Sequence, residues 1–328
     1  MHVAARHTTQ VVTRIGFGCV EGHDGAVKLL RHRTSDHHAH DDGIRLPWVP
    51  PGRTVTVAGR GEVFVRWHRH ADPSRPTLLL LHGWTASADL QFFTAYELLA
   101  EHYSFVAVDH HGHGRGIRTT ARYELERAAD DAAAVVRELG VGPVVTIGYS
   151  MGGPISMLLA RRHPELVRAM VVQATALEWR ASRFERVRWR TVRLMGPLLR
   201  SAAYPRSLRY ALLRLLGADH EMAPFVPWLE SEIRRGDTQT IVQAGRALGR
   251  YDARPWAGDL GKPAGALITT RDRLVWPRKQ RALAEALHAH VIEVDGDHLV
   301  TLEDPAAYRD ATLALVDHLT GRLLAATA

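Results

Sequence analysis

Val144-Val145-Thr146-Ile147-Gly148-Tyr149-Ser150-Met151-Gly152-Gly153 is the stretch that decides how this chain folds. Its first four residues are a β-branched run of the length expected for a strand buried on both faces of a parallel sheet. Pro154 to Arg162 then open a helix. A Gly-x-Ser-x-Gly sequence between such a strand and such a helix predicts a sharp reversal with the serine in strained backbone geometry. The flanking glycines avoid clashes with neighbouring elements. The serine hydroxyl is then expected above the carboxyl ends of the strands, where open α/β sheets bind ligands. The N-terminus of the following helix points at the same place and favours a developing negative charge.

Working outward, the same alternation continues in both directions. Thr54 to Val57 and Val63 to Trp67 read as a hairpin joined by Ala-Gly-Arg-Gly. Thr77 to Leu81 is a buried strand ending at His82-Gly83, followed by a helix capped by Ser87 or Asp89 and reaching about Glu101. Ser104 to Val108 is the next strand, and residues 125 to 139 form a helix with Ala132, Val135, Val136 and Leu139 on one face. Ala169 to Gln173 is strand-like again. The alternation stops near Leu177, resumes with Ala264 to Thr269, and ends with a helix from about Pro277, a strand at His290 to Val294 and a last helix carrying Leu315, Val316 and Leu319. Residues 51–177 and 254–328 therefore predict an α/β core with a mostly parallel sheet. Residues 178–253 predict an all-helical insertion, with Phe184, Val187, Thr191, Met195 and Leu198 on one stripe.

Bulk properties limit the alternatives. The chain has 328 residues, 46% hydrophobic and 23% charged, enough for a substantial core. No stretch approaches a membrane span, and the beginning carries no apolar secretory segment. Cys19 is the only cysteine, which excludes an internal disulfide and makes the cytoplasm the default location. The net charge of +7 comes from three lysines and 39 arginines not gathered into a phosphate-reading element, so nucleic acid is not expected as a partner. Residues 1–50 are polar and read as a poorly ordered extension. His37, His38 and His40 beside Asp36, Asp41 and Asp42 match no closed metal site, and no metal is expected.

A serine hydroxyl needs a base to act as a nucleophile. Taking the order serine, acid, histidine selects His298 from the 20 histidines, in a loop after the last short strand. His288, His290 and His318 fall at a helix end, a strand start and the final helix. The acid is expected after a neighbouring strand, which selects Asp272 to orient the imidazole. Asp295, Asp297 and Glu178 are its rivals. Two backbone N–H donors should face the oxyanion: Met151, after the nucleophile, and Trp84, in the loop after the earlier strand.

Taken together, His82-Gly83-Trp84, Asp109-His110-His111-Gly112-His113-Gly114-Arg115, Gly148 to Gly153, Asp272 and Asp297-His298 resemble the α/β-hydrolase superfamily over about Thr54 to Thr320. The resemblance is to its capped serine esterase and lipase-like members. It implies an eight-stranded, mostly parallel sheet, a helical cap (lid) after the sixth strand, and no cofactor. Relatives with haloalkane or epoxide activity carry a carboxylate at the position of Ser150, so those activities are not expected.

The expected activity is cleavage of a small hydrophobic carboxylic ester through an acyl-enzyme. Thioester or carbon–carbon bond hydrolysis on the same triad, and a receptor that keeps the triad for ligand sensing, remain open. Residues 178–214 hold ten arginines against Glu178 and Glu185, interleaved with Trp179, Phe184 and Trp189. Such a basic amphipathic insert suits an anionic or lipid-like substrate, or weak contact with a membrane surface, or simply a solvated lid.

Overall fold

The computed structural model describes residues 45–192, 196–197, 204–217 and 219–325. The expectations about residues 1–44, and about Met195 and Leu198, lie outside the described residues. Eight strands form one sheet in the order β1-β2-β4-β3-β5-β6-β7-β8. They are β1 (Gly52–Val57), β2 (Gly61–His68), β3 (Leu78–Leu81), β4 (Phe105–Val108), β5 (Val144–Tyr149), β6 (Val167–Gln173), β7 (Ala264–Thr269) and β8 (His290–Val294). The β1–β2 and β2–β4 pairs are antiparallel, and every later pair is parallel. The sheet is the mostly parallel, eight-stranded one that the resemblance implied.

The leucines of β3 show how the strands organise two cores. Leu79 and Leu81 pack on one face with α2 (Leu125–Leu139) and α3 (Gly152–Arg162). Leu78 and Leu80 pack on the other with α1 (Ala88–His102) and the last helix. All four are fully buried, each contributing roughly 2 kcal/mol of hydrophobic stabilisation. Helix α1 is capped by Ser87, whose side chain accepts the Leu90 N–H. Asp89, the other candidate cap, instead pairs with Arg66 on β2.

Strand order reverses at β3, which has β4 on one side and β5 on the other. Connections from β3 and β5 therefore leave in opposite directions and open a crevice at the carboxyl ends of these strands. The loop after β3 and the turn after β5 both border it.

Between β6 and β7 the described residues hold helices α4 (Arg183–Thr191), α5 (Tyr204–Leu216), α6 (Val226–Ile233) and α7 (Thr238–Leu248). The insert leaves and re-enters the core at adjacent points: Glu178 and Asp252 form an isolated bridge, and the Ala253 N–H donates to Leu177 O. The stripe through Phe184 and Val187 faces outward. Phe184 and Val187 are not on the buried face of α4; they are 66% and 57% exposed. The inward face carries Glu185 and Trp189, followed by Val192. A capping box from Ser182 to Glu185 starts the helix, and Lys279 on α8 (Pro277–Ala286) bonds both Glu185 and Glu178 at 2.7 and 2.8 Å. That ion triad ties the Glu185 side of α4 to α8. Helices α9 (Val300–Glu303) and α10 (Pro305–Ala325) complete the order.

Candidate active site

Ser150 follows β5 with φ at 50°, left-handed geometry that a non-glycine residue rarely holds without support. The support is local. The Ser150 N–H donates to Gln173 O at the end of β6, and the Gly153 N–H donates back to Ser150 O. A Cβ on Gly152 would collide with Leu81 O, and one on Gly148 with Gly152 O. Both glycines are thus required by close approach, as the sequence pattern suggested.

His298 lies beyond β8, and its Nε2 is 3.1 Å from Ser150 Oγ. Its Nδ1 is 2.7 Å from Asp272 Oδ2. Asp272 follows β7 and is buried. Its Oδ1 accepts the N–H groups of Leu274 and Val275, both at 2.8 Å. Its Oδ2 also accepts from Thr269 Oγ1 and Gln280 Nε2, at 2.9 and 3.1 Å. A carboxylate ringed by donors leaves Nδ1 of His298 as the protonated nitrogen, so Nε2 presents its lone pair to Ser150.

The competing side chains are spent elsewhere. Asp297 accepts the His298 and Arg273 N–H groups, Asp295 pairs with Arg271, and Glu178 is held by Lys279. His290 and His318 stack on each other with ring centroids 3.8 Å apart. Of the two expected oxyanion donors, neither the Trp84 nor the Met151 N–H has an acceptor among the described residues. Both residues flank Ser150: Met151 follows it, and the Gly83 that precedes Trp84 packs close to Ser150 Cβ.

A cavity of about 470 Å³ opens over Ser150 and His298. Its wall is mainly apolar, including Trp84, Leu90, Leu229, Leu274 and Leu299, and the insert supplies Trp179 and Trp189.

A family model described as alpha/beta hydrolase fold matches residues 76–305. The chain belongs to the α/β-hydrolase fold family. It is 34% identical over 98 residues to 2-(acetamidomethylene)succinate hydrolase of Mesorhizobium japonicum, covering 30% of this chain and 35% of that one. It is 28% identical over 232 residues to a pimeloyl-[acyl-carrier protein] methyl ester esterase of Neisseria meningitidis, covering 69% and 84%. An esterase from Exiguobacterium antarcticum superposes with a TM-score of 0.70 at 17% identity, covering 81% of this chain and all of the other, a likeness of fold. The chain spans about a third to under a half of the length of the first curated relatives it matches.

Within this α/β-hydrolase site, three residues act in ways the sequence reading did not assign. The Tyr149 hydroxyl donates to His298 O at 2.8 Å, tying the elbow to the histidine loop, and burial raises its pKa well above the usual phenol value. The tyrosine inside Gly-x-Ser-x-Gly was visible, but its partner lies 149 residues away. Gln91 accepts the Gly83 N–H through Oε1 at 3.3 Å and lines the cavity. His82 joins two loops. Its Nδ1 lies 2.8 Å from Gly83 O and its Nε2 accepts the His110 N–H at 3.0 Å, so the neutral ring bridges the loops after β3 and β4.

Below it, His110 and His113 are buried with bare Nε2 atoms, and burial lowers their pKa values to about 3 and about 4. Asp109 accepts the Ala88 and Arg115 N–H groups, and burial raises its pKa to about 6. Among the described residues, no group of three or more His, Cys, Asp or Glu side chains is placed to hold a metal ion.

Proposed function

We propose that the chain is a serine hydrolase that cleaves a hydrophobic carboxylic ester through an acyl-enzyme. The observation that carries this reading is the continuous Ser150–His298–Asp272 relay at 3.1 and 2.7 Å beneath an apolar cavity. Ser150 Oγ attacks the ester carbonyl while His298 Nε2 takes its proton. The carbonyl π electrons move onto oxygen, which the Met151 and Trp84 N–H groups receive. Collapse of that intermediate breaks the bond to the alcohol, which leaves with the proton from His298. Water, deprotonated by the same nitrogen, then attacks the acyl-Ser150 carbonyl and releases the acid. Asp272 does not change protonation; it stabilises the imidazolium formed between steps.

The helical insert acts as a cap, since its tryptophans and leucines roof the cavity. Hydrolase and esterase names among the relatives support the reaction class. The test is Ser150→Ala against a panel of acyl esters, thioesters and vinylogous diketones. Turnover should fall by about 10⁴ to 10⁶ with the fold intact. Near-normal turnover in that variant, or wild-type preference for a thioester or a diketone, overturns the ester reading.

A further inference from the structure

The cap-side wall of the cavity includes two residues with unpartnered donors. The Nε1–H groups of Trp179 and Trp189 are buried without a hydrogen-bond partner, although both residues line the cavity. Their side chains are nearly inaccessible to solvent, at 3% and 8% exposure for the residues. Trp84 shows the ordinary alternative: its Nε1–H donates to Ile241 O at 2.7 Å.

Arg188, on α4 beside Trp189, lines the same cavity. Among the described residues its guanidinium donates from Nη2 to Leu274 O at 3.1 Å, lies 5.8 Å from the centre of the Trp189 ring and has no carboxylate partner. The acids at this end of the cap are occupied, because Lys279 holds Glu178 and Glu185. The sequence from 193 to 203 contains no Asp or Glu that could supply one. Indole N–H and guanidinium groups donate only, and buried polar groups are ordinarily satisfied. This wall carries two covered indole N–H groups without an acceptor and a guanidinium with no carboxylate beside it.

The three indoles also give a direction. Trp84 contacts Trp189 with centroids 5.7 Å apart, and Trp189 contacts Trp179 at 5.8 Å. The unpartnered donors thus lie one and two rings away from Trp84, whose backbone N–H faces the reacting carbonyl in the reading above. We propose that Arg188, Trp179 and Trp189 form a subsite for a carboxylate carried at the far end of the substrate from the scissile ester. The substrate class is then a half-ester of a dicarboxylic acid, or an ester whose alcohol carries the carboxylate. This rests on Ser150 as nucleophile for the position of the scissile bond. A planar guanidinium meets both carboxylate oxygens at once, and the indole N–H groups reach the remaining lone pairs.

The experiment compares aryl esters that differ only at the remote end. Mono-p-nitrophenyl adipate, suberate and sebacate are set against neutral p-nitrophenyl esters of equal chain length, with a parallel set bearing the carboxylate on the alcohol. In one of the two sets the carboxylate should lower KM by tenfold or more with kcat little changed, since the contact is made equally in ground and transition states. Arg188→Met should bring the charged-to-neutral ratio close to one, and Arg188→Lys should restore part of it. Trp179→Phe keeps an aromatic side chain, removes the N–H with its five-membered ring and should reduce the ratio severalfold. Arg190→Met, altering an exposed neighbour, should leave the ratio as it is. A ratio near one in both wild-type sets, or equal effects of Arg188→Met and Arg190→Met, overturns the subsite. If no ester is turned over by the wild type, the nucleophile reading fails separately. Indole fluorescence titration of Ser150→Ala with the same esters then decides the subsite, which stands if the carboxylate-bearing ester binds more tightly and falls if it does not.

Discussion

Lowering the pH from 7.5 to 5.0 should remove a large share of this protein's stability, because three histidines are buried as neutral rings. His82, His110 and His113 are each fully or almost fully inaccessible, and burial lowers the pKa of all three from the ordinary 6.5. His82 cannot take a proton on Nε2 without breaking its bond from the His110 N–H. His110 and His113 have no acceptor for a second N–H. Below pH 6.5 the unfolded chain binds a proton at each position and the folded chain does not, so stability falls as pH falls. At pH 5.0 each ring then costs about 2 kcal/mol, or about 6 kcal/mol for the three.

Asp109 acts in the opposite sense. Its folded pKa of about 6 lies above the ordinary 3.8, so protonation below pH 6 favours the folded form and returns about 1 kcal/mol by pH 5.0. Acids with lowered folded pKa values, such as Asp130, Glu185 and Asp237, lose their contributions mainly below this window. The net expectation is a loss of about 5 kcal/mol, comparable to the whole stability of many domains. Urea unfolding at constant ionic strength, at four pH values between 7.5 and 5.0, measures it directly. The slope near pH 5 should correspond to a net uptake of about two protons on unfolding, since Asp109 releases about one while the three rings gain about three. Stability that changes by less than about 1 kcal/mol across the window would show that these rings titrate as hydrated histidines, and would refute the argument.

Three further outcomes follow from the cap and the cavity. Phe184→Ser and Val187→Ser on the outer face of α4 should each change stability by no more than about 0.5 kcal/mol, while Trp189→Ala on the inner face should cost about 3 kcal/mol or more, read by the same urea unfolding. Lys279→Met leaves Glu178 and Glu185 without their shared cation and should destabilise by roughly 3 kcal/mol, with earlier proteolytic cleavage in the cap than in the core. Catalytic efficiency on neutral esters should rise up to about fourfold per added methylene, then fall once the cavity is filled; a flat profile would remove the cap from specificity.

Much of the site was legible in the sequence because its parts are short and local. A strand, a turn and a helix are written consecutively from Val144 to Arg162, and the glycines at 148 and 152 mark where another backbone passes. The order Ser150, Asp272, His298, each after a strand of one parallel sheet, is enough to bring the three to one edge. Periodicity was less informative for α4, where it placed Phe184 and Val187 on one stripe and the fold turns that stripe outward. Helical spacing reports which residues share a face, and it does not report which face is buried when both carry apolar groups and arginines. The inward face carries Trp189 and Glu185, and Glu185 is held by Lys279, 94 residues away.

The sequence by itself thus determined the fold family, the elbow and the three residues that meet there, since each is a matter of chain order and local geometry. Only the tertiary structure decided the partners that cross the chain. Tyr149 holds the His298 loop, His82 joins the loops after β3 and β4, and Asp272 gathers donors from its own loop and from Gln280. It also left two buried indole N–H groups without an acceptor and a guanidinium without a carboxylate, in residues that line one cavity. The physical reason is that hydrogen bonds and burial are set by distances in space. A sequence states which donors exist, and the packing of distant segments determines which of them are left unpaired.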